Sequence, residues 1–233
     1  MEKQLEAVRR SYDQAIEQGR KGDRTDPYKN LPGHITNDPG YPLYRSMIES
    51  GKASDSGRRE IREYLSPAPG MRFVDLGCCL NLMFRGYDQW PSVYYGVDIS
   101  GNTITLLKEF AAKKNLSIGS FYCGSIHETP FEAGTFDIGA CIGVLEYYDG
   151  EFARKAIAEA HRILKPNGRF VLDVPDLGSP ECRIAMAAEA YLGRPGLYDM
   201  AFSEFEELLL NYFEMDGKEK VGPMVQYFLR RGK

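Results

Sequence analysis

The 233-residue chain reads as an α/β protein: a doubly wound sheet, mostly parallel, with a terminal antiparallel strand and a helical cap ahead of it. Three observations predict this. Short apolar runs alternate with helix-length amphipathic segments between Met71 and Pro175, the pattern of parallel strands joined by crossover helices. The run TFDIGACIGV (135–144) is almost uniformly apolar, as a strand covered on both faces must be. Near the end, NYFEMDG and VGPMVQYFLRRG are two strand-like segments close in sequence, which a hairpin would pair antiparallel at one sheet edge.

Taken in order, residues 1–20 place Leu5, Val8, Tyr12 and Ile16 at helical spacing, which predicts an amphipathic helix. Residues 21–45 carry Gly22, Pro27, Pro32, Gly33, Pro39, Gly40 and Pro42 and read as a loop-rich connector. SDSGRREIREYL (54–65) predicts a capped helix ending before Pro67. MRFVDLG and SVYYGVDIS are the first two strands, with a helix-length segment between them. GNTITLLKEFAAKKNL is a helix, SIGSFYCGS the third strand and TFDIGACIGV the fourth. FARKAIAEAHRIL is a helix stopped by the turn Pro166-Asn167-Gly168, and GRFVLDVP is the fifth strand. Residues 176–201 read as an insertion beside the carboxyl ends of the strands. MAFSEFEELLLNYFEMDG predicts a helix running into the sixth strand, and VGPMVQYFLRRG the last. Two units result: residues 1–53 as a possible lid, and 54–233 as the core.

Composition narrows the function. With 29 basic and 33 acidic residues the net charge is −4, which argues against a partner held by phosphate neutralisation, so no nucleic acid is expected. No apolar run has the length of a membrane span, and the first residues lack an apolar signal core. Five cysteines without a CxxC pair support neither a disulfide framework nor a zinc ribbon. A cytoplasmic protein without a metal is the expectation. Cys78, Cys79, Cys123 and Cys141 all fall at strand ends, where convergent thiols suit a soft metal but also behave as small buried apolar groups.

In a doubly wound sheet ligands bind where the strands end at their carboxyl side. Two such ends carry chemistry. VDLGCCLN turns from strand to helix at Gly77, where backbone N–H groups can approach a ligand. Asp98 ends the next strand, and its two acceptor oxygens suit the vicinal hydroxyls of a ribose; capping the following helix is the other role open to it. A dinucleotide fingerprint wants three glycines at the first turn, and only Gly77 is present, which disfavours an NAD-dependent oxidoreductase.

VDLGCCLN, VDIS, GSIHETPFEAGTFDIGACIGVLEYY and ILKPNGRFVLDVP, in that order, resemble the motifs of class I S-adenosylmethionine-dependent methyltransferases, which have a Rossmann-like fold. The likeness is closest to the small-molecule, type 11-like branch and covers about residues 55–175. It implies S-adenosylmethionine as cofactor and a small organic methyl acceptor. It further implies that Asp75, Gly77 and Cys78 shape the first loop, Asp98 binds the ribose, Ile99 packs on the adenine, and Ser125 and Ile126 face the adenine ring. Cys141 would lie by the cofactor's amino-acid end. Cys79 and Asn81 stand where the family usually has glycine, and Ser125 where it usually has Asp; a silent, methyltransferase-like binding protein is therefore the alternative. For catalysis His127 and Tyr147 are the candidates, with Glu146 beside them. In the N-terminal segment Tyr41 and Tyr44 are the expected substrate contacts, with the cap folded over the cofactor edge.

Overall fold

The computed structural model describes residues 2–22, 27–49 and 59–233. The strands are β1 (Arg72–Leu76), β2 (Val93–Asp98), β3 (Ile118–Cys123), β4 (Phe136–Cys141), β5 (Leu164–Pro175), β6 (Phe213–Val221) and β7 (Met224–Arg231). They form one sheet in the order β3-β2-β1-β4-β5-β7-β6. β1 to β5 pair in parallel, β7 runs antiparallel to β5, and β6 antiparallel to β7. The order reverses between β1 and β4, so the carboxyl ends of these two strands flank the crevice where such sheets take ligands.

The helices are α1 (Glu2–Arg20), α2 (Gly33–Thr36), α3 (Tyr41–Glu49), α4 (Arg59–Leu65), α5 (Asn81–Phe84), α6 (Gly101–Lys114), α7 (Gly150–Ile163), α8 (Pro180–Tyr191) and α9 (Phe202–Leu210). Alternate residues of the central strands point to opposite faces, and both faces are buried. On one, Val74, Leu76, Phe170 and Leu172 pack with Phe152 and Ile157 of α7 and Phe205 and Leu209 of α9. On the other, Phe73, Ile138 and Val171 pack with Ile61 and Leu65 of α4 and Ile104 and Leu107 of α6. Three crossing helices start on built caps, each a side-chain oxygen accepting a free first-turn N–H. Ser100 accepts from Thr103, Asp149 from Phe152, and Ser179 from Cys182 with Pro180 opening the helix.

The N-terminal cap is more ordered than its Pro/Gly content predicts. The connector over 21–45 holds a 3-10 turn (Pro27–Asn30), α2 and the start of α3. Pro42 is the second residue of α3, where a missing N–H costs the helix nothing. Leu31, Ile35, Tyr44 and Met47 bury against Ile184 and Ala188 of α8. α1 is held across the sheet edge by polar contacts. Asp13 accepts from Ser100 Oγ at 2.6 Å and from the Asn102 N–H at 3.3 Å, and Gln4 Nε2 donates to Asp149 at 3.0 Å.

Three further expectations change in detail. The segment between β1 and β2 is the four-residue α5 and a 3-10 turn at Tyr87–Gln89 instead of a full crossover helix. Pro166-Asn167-Gly168 is a kink within β5, with Asn167 at φ +63° and the register to β4 shifting between Phe136 and Ile138. The helix expected over 54–65 is seen as α4, and its first residues, 54–58, lie outside the described residues.

Candidate active site

A cavity of about 280 Å³ opens at the carboxyl ends of β1, β2 and β4, under α1. The β1 end turns at Gly77, with φ +74° and its N–H donating to Val97 O at 2.8 Å. An added Cβ there would sit 2.3 Å from Val144 Cγ2, so position 77 excludes a side chain on both backbone and steric grounds. Gly77→Ala is expected to cost roughly 2 kcal/mol or more through left-handed strain and displacement of Val144. Thermal unfolding should then show a melting temperature lower by roughly 4–8 °C.

Asp98 is the polar centre of the cavity floor. Its Oδ2 accepts the Cys79 N–H at 2.8 Å and its Oδ1 the Ser100 N–H at 2.9 Å. The carboxylate thus fixes the β1 loop and the start of α6 together. Burial pushes its pKa up, and the two N–H groups work against that rise. Cys79 lines the cavity in the left-handed region at φ +36°, a backbone that favours glycine. Burial beside Asp98 pushes its thiol to about 12, so it is a neutral wall group. Asn81 needs no such backbone, because it opens α5. Its amide donates to Asp75 Oδ1 at 3.2 Å and its oxygen accepts from Arg85 Nε at 2.8 Å. Asp75 also accepts from Tyr94 OH at 2.7 Å; burial raises its pKa to about 6.

The roof is aromatic and acidic. Tyr12 donates to Tyr147 OH at 3.2 Å, and Tyr147 donates to Glu189 Oε2 at 3.2 Å. Tyr28 donates to the other oxygen of Glu189. Arg194 Nε closes the ion pair with Glu189 at 2.6 Å and donates from Nη2 to Tyr28 OH at 3.0 Å. One carboxylate on α8 therefore ties together the cap, the β4 loop and the segment after α8.

Of the residues expected at the site, Gly77, Asp98, Ile99, Ser125, Ile126 and Tyr147 line this one cavity. Asp75, Cys78 and Cys141 lie beneath it, fully or nearly fully buried, and the backbone neighbours Ile142 and Gly143 line it in place of Cys141. His127 is not in the lining: its Nδ1 meets Ser125 Oγ at 2.5 Å and its ring packs on Phe152. Burial lowers its pKa, which leaves it neutral at neutral pH. Tyr41 and Tyr44 belong to the α3–α8 contact, away from the cavity; the cap reaches it through Val8, Tyr12 and Tyr28 instead. Residue patterning missed Tyr12, Arg85 and Glu189. The one sequence signal was polar groups on otherwise apolar faces: Tyr12 in the buried stripe of α1 and Glu189 in the alanine-rich AMAAEAY.

Residues 74–172 match the model of a family described as a methyltransferase domain. This segment is similar to that family over its whole matched length. Over 101 residues the chain is 28% identical to an uncharacterized methyltransferase, YcgJ, of Bacillus subtilis, covering 43% of this chain and 39% of that protein. It is 27% identical over the same length to a ubiquinone biosynthesis O-methyltransferase of Coxiella burnetii, covering 43% and 42%. Among solved structures, the geranyl diphosphate C-methyltransferase of Streptomyces coelicolor, in complex with Mg2+, geranyl diphosphate and S-adenosyl-L-homocysteine, superposes with a TM-score of 0.61 at 17% identity. The match covers 86% of this chain and 88% of that one. That likeness shows the fold. The chain spans about two fifths of the length of the first curated relatives it matches. Within the matched segment Gly77 and Cys79 both take the left-handed backbone, Cys79 with a side chain attached. No described helix is long and apolar enough to cross a membrane.

Proposed function

We propose that the chain is an S-adenosylmethionine-dependent methyltransferase acting on a small organic acceptor by in-line displacement. The observation that carries this reading is the convergence of Gly77, Asp98, Ile99, Ser125 and Ile126 on one cavity at the strand ends. The donor set fits an adenosyl group. Asp98 offers carboxylate oxygens with remaining lone pairs for a diol. Ile99 and Ile126 offer apolar faces for a purine, and Ser125 a hydroxyl at the same wall. Towards β4, Tyr147, Tyr148, Glu146 and Glu189 make a wall of ring faces and carboxylates, which favours a cation such as a sulfonium.

When bound, S-adenosylmethionine supplies a methyl group already activated by positive charge on sulfur. The chain's own work is then alignment and exclusion of water. Asp98 and the loop it anchors fix one end of the ligand. The α1 roof, through Val8 and Tyr12, covers the cavity from solvent. Tyr147, held by Tyr12 and Glu189, orients the acceptor side, and as a neutral phenol it positions through its hydroxyl and does not act as a base.

Calorimetric titration of the whole chain with S-adenosylhomocysteine and with NAD tests the reading. Saturable binding of the first, and none of the second, is expected. A chain that binds no S-adenosyl ligand is not an enzyme of this kind.

A further inference from the structure

Ser125 lines the cavity, and its hydroxyl is engaged from behind: His127 Nδ1, two residues on, meets Oγ at 2.5 Å. The imidazole is itself held in place. Its ring packs on Phe152 with 5.2 Å between centroids, and Phe152 stacks on Tyr148 at 3.9 Å. Both of those rings line the same cavity as Ser125. Ser125 also borders a shallower cleft with Leu5, Ile99 and Gly124, so it stands at the rim where the cavity wall meets α1.

A hydroxyl has one hydrogen and two lone pairs, and its neighbours decide which of them a ligand meets. A neutral imidazole with its proton on Nε2 presents a lone pair at Nδ1. Ser125 then donates its hydrogen to His127 and turns lone pairs toward the cavity. An imidazolium donates from both nitrogens. Its Nδ1–H takes an Oγ lone pair and turns the hydroxyl hydrogen toward the cavity instead. One proton on His127 therefore exchanges an acceptor for a donor at the wall. Burial lowers the His127 pKa; Glu128 of its own loop and Glu159 of α7 oppose that, and Lys155 of α7 adds to it. From α1, Glu2, Glu6 and Arg9 line the cleft beside Ser125. The exchange falls on the acid side of the ordinary histidine range.

Building on the methyltransferase reading, we propose that His127 is a positioning residue that makes Ser125 an acceptor for the exocyclic amino group of the ligand's adenine. His127 touches no ligand in this scheme and works through the serine. Affinity for an amino-bearing purine is full while the imidazole is neutral, and it falls as the pH drops through the ring's pKa. A purine without the amino group has no donor to offer Ser125 and gains nothing from the neutral form. A ring that merely fills space beside Phe152 makes no such distinction between the two purines.

Calorimetry on the full chain at about pH 7.5 and about pH 5 tests this. The probes are S-adenosylhomocysteine and its 6-deamino analogue, with unsubstituted purine in place of adenine. Their affinity ratio cancels the titrations that both ligands meet alike, those of Asp75 and Asp98 included. At neutral pH S-adenosylhomocysteine is expected to bind about fivefold tighter, the worth of one neutral hydrogen bond, and in acid the two should agree within about twofold. Ser125→Ala removes the hydroxyl and should bring the ratio within about twofold at both pH values. His127→Phe keeps a ring on Phe152 without the acceptor and should lower the ratio and free it of pH. His127→Asn sets an oxygen that does not titrate at the Nδ1 position and should restore the ratio at both pH values. A purely structural role ranks the two His127 variants the other way. A wild-type ratio near unity at neutral pH, a wild-type ratio that ignores pH, or one that survives Ser125→Ala or His127→Phe unchanged overturns the proposal and leaves the methyltransferase reading standing. If neither probe binds, that reading falls and the proposal with it.

Discussion

Asp98→Ala is expected to weaken S-adenosylhomocysteine binding at least tenfold, measured by calorimetry, while the fold persists. The carboxylate has two tasks in this site. It accepts the Cys79 and Ser100 N–H groups, which sets the shape of the β1 loop, and it presents its remaining lone pairs to the cavity. Hydrogen bonds to a charged group contribute roughly 1.5–3 kcal/mol each. Losing two to a ribose diol therefore exceeds the ~1.4 kcal/mol of a tenfold change. Ser100 still caps α6 with its own hydroxyl, and the sheet contacts of β2 are untouched, so far-UV circular dichroism should match the wild type. Asp98→Asn separates the two tasks. It keeps one acceptor oxygen but turns an N–H toward a backbone N–H, so it should bind S-adenosylhomocysteine no better than Asp98→Ala. Affinity unchanged in both variants would remove Asp98 from the ligand and leave it a loop anchor only.

How much of this site was legible in the sequence depends on the kind of signal. Strand ends announce themselves. An apolar run that stops at Gly77 or Asp98 marks both the element and its functional tip, and both residues line the cavity. Residues one position earlier or later are harder, because side chains alternate across a strand. Cys141 therefore sits beneath the cavity although it adjoins Ile142 at its edge, while Asp75, two residues before Gly77, is buried by its contacts with Tyr94 and Asn81. Asn81 stands where the resemblance leads one to expect glycine. Its work is the bridge from Asp75 to Arg85, a contact that spacing does not reveal. The cap was the least legible part. Prolines in 21–45 signal loops locally, yet Pro42 lies in the first turn of α3, where it fits, and burial against α8 supplies the stability that propensity lacks. Tyr41 and Tyr44 consequently pack between helices, and Tyr12 and Tyr28, 135 and 161 residues from partners Tyr147 and Glu189, reach the roof.

That roof is the basis of the second large effect. Removal of residues 1–53 is expected to leave a folded core that binds S-adenosylhomocysteine at least tenfold more weakly and has lost turnover. The seven-stranded sheet and the helices on both its faces lie wholly within 59–233, so the central core survives. The deletion strips Val8, Tyr12 and Tyr28 from the cavity wall and uncovers Tyr147, whose hydroxyl loses Tyr12 as a donor. Ile184 and Ala188 are also uncovered where α3 packed on α8. Each large apolar side chain returned to water forfeits about 1.5–3 kcal/mol, so the truncated chain should melt at lower temperature than the parent. To separate loss of cover from loss of stability, Tyr12→Ala removes one cavity contact and leaves the Asp13 anchor to Ser100 in place. It should keep the parent's melting temperature within a few degrees and still lose cofactor affinity. Limited trypsinolysis gives an independent reading on the intact chain: cleavage at Lys21 and Lys29 should slow when S-adenosylhomocysteine is added, because a ligand beneath α1 holds the roof shut. A truncated chain with full affinity and activity, or cleavage that ignores the ligand, would make the N-terminal segment a packing element and no more.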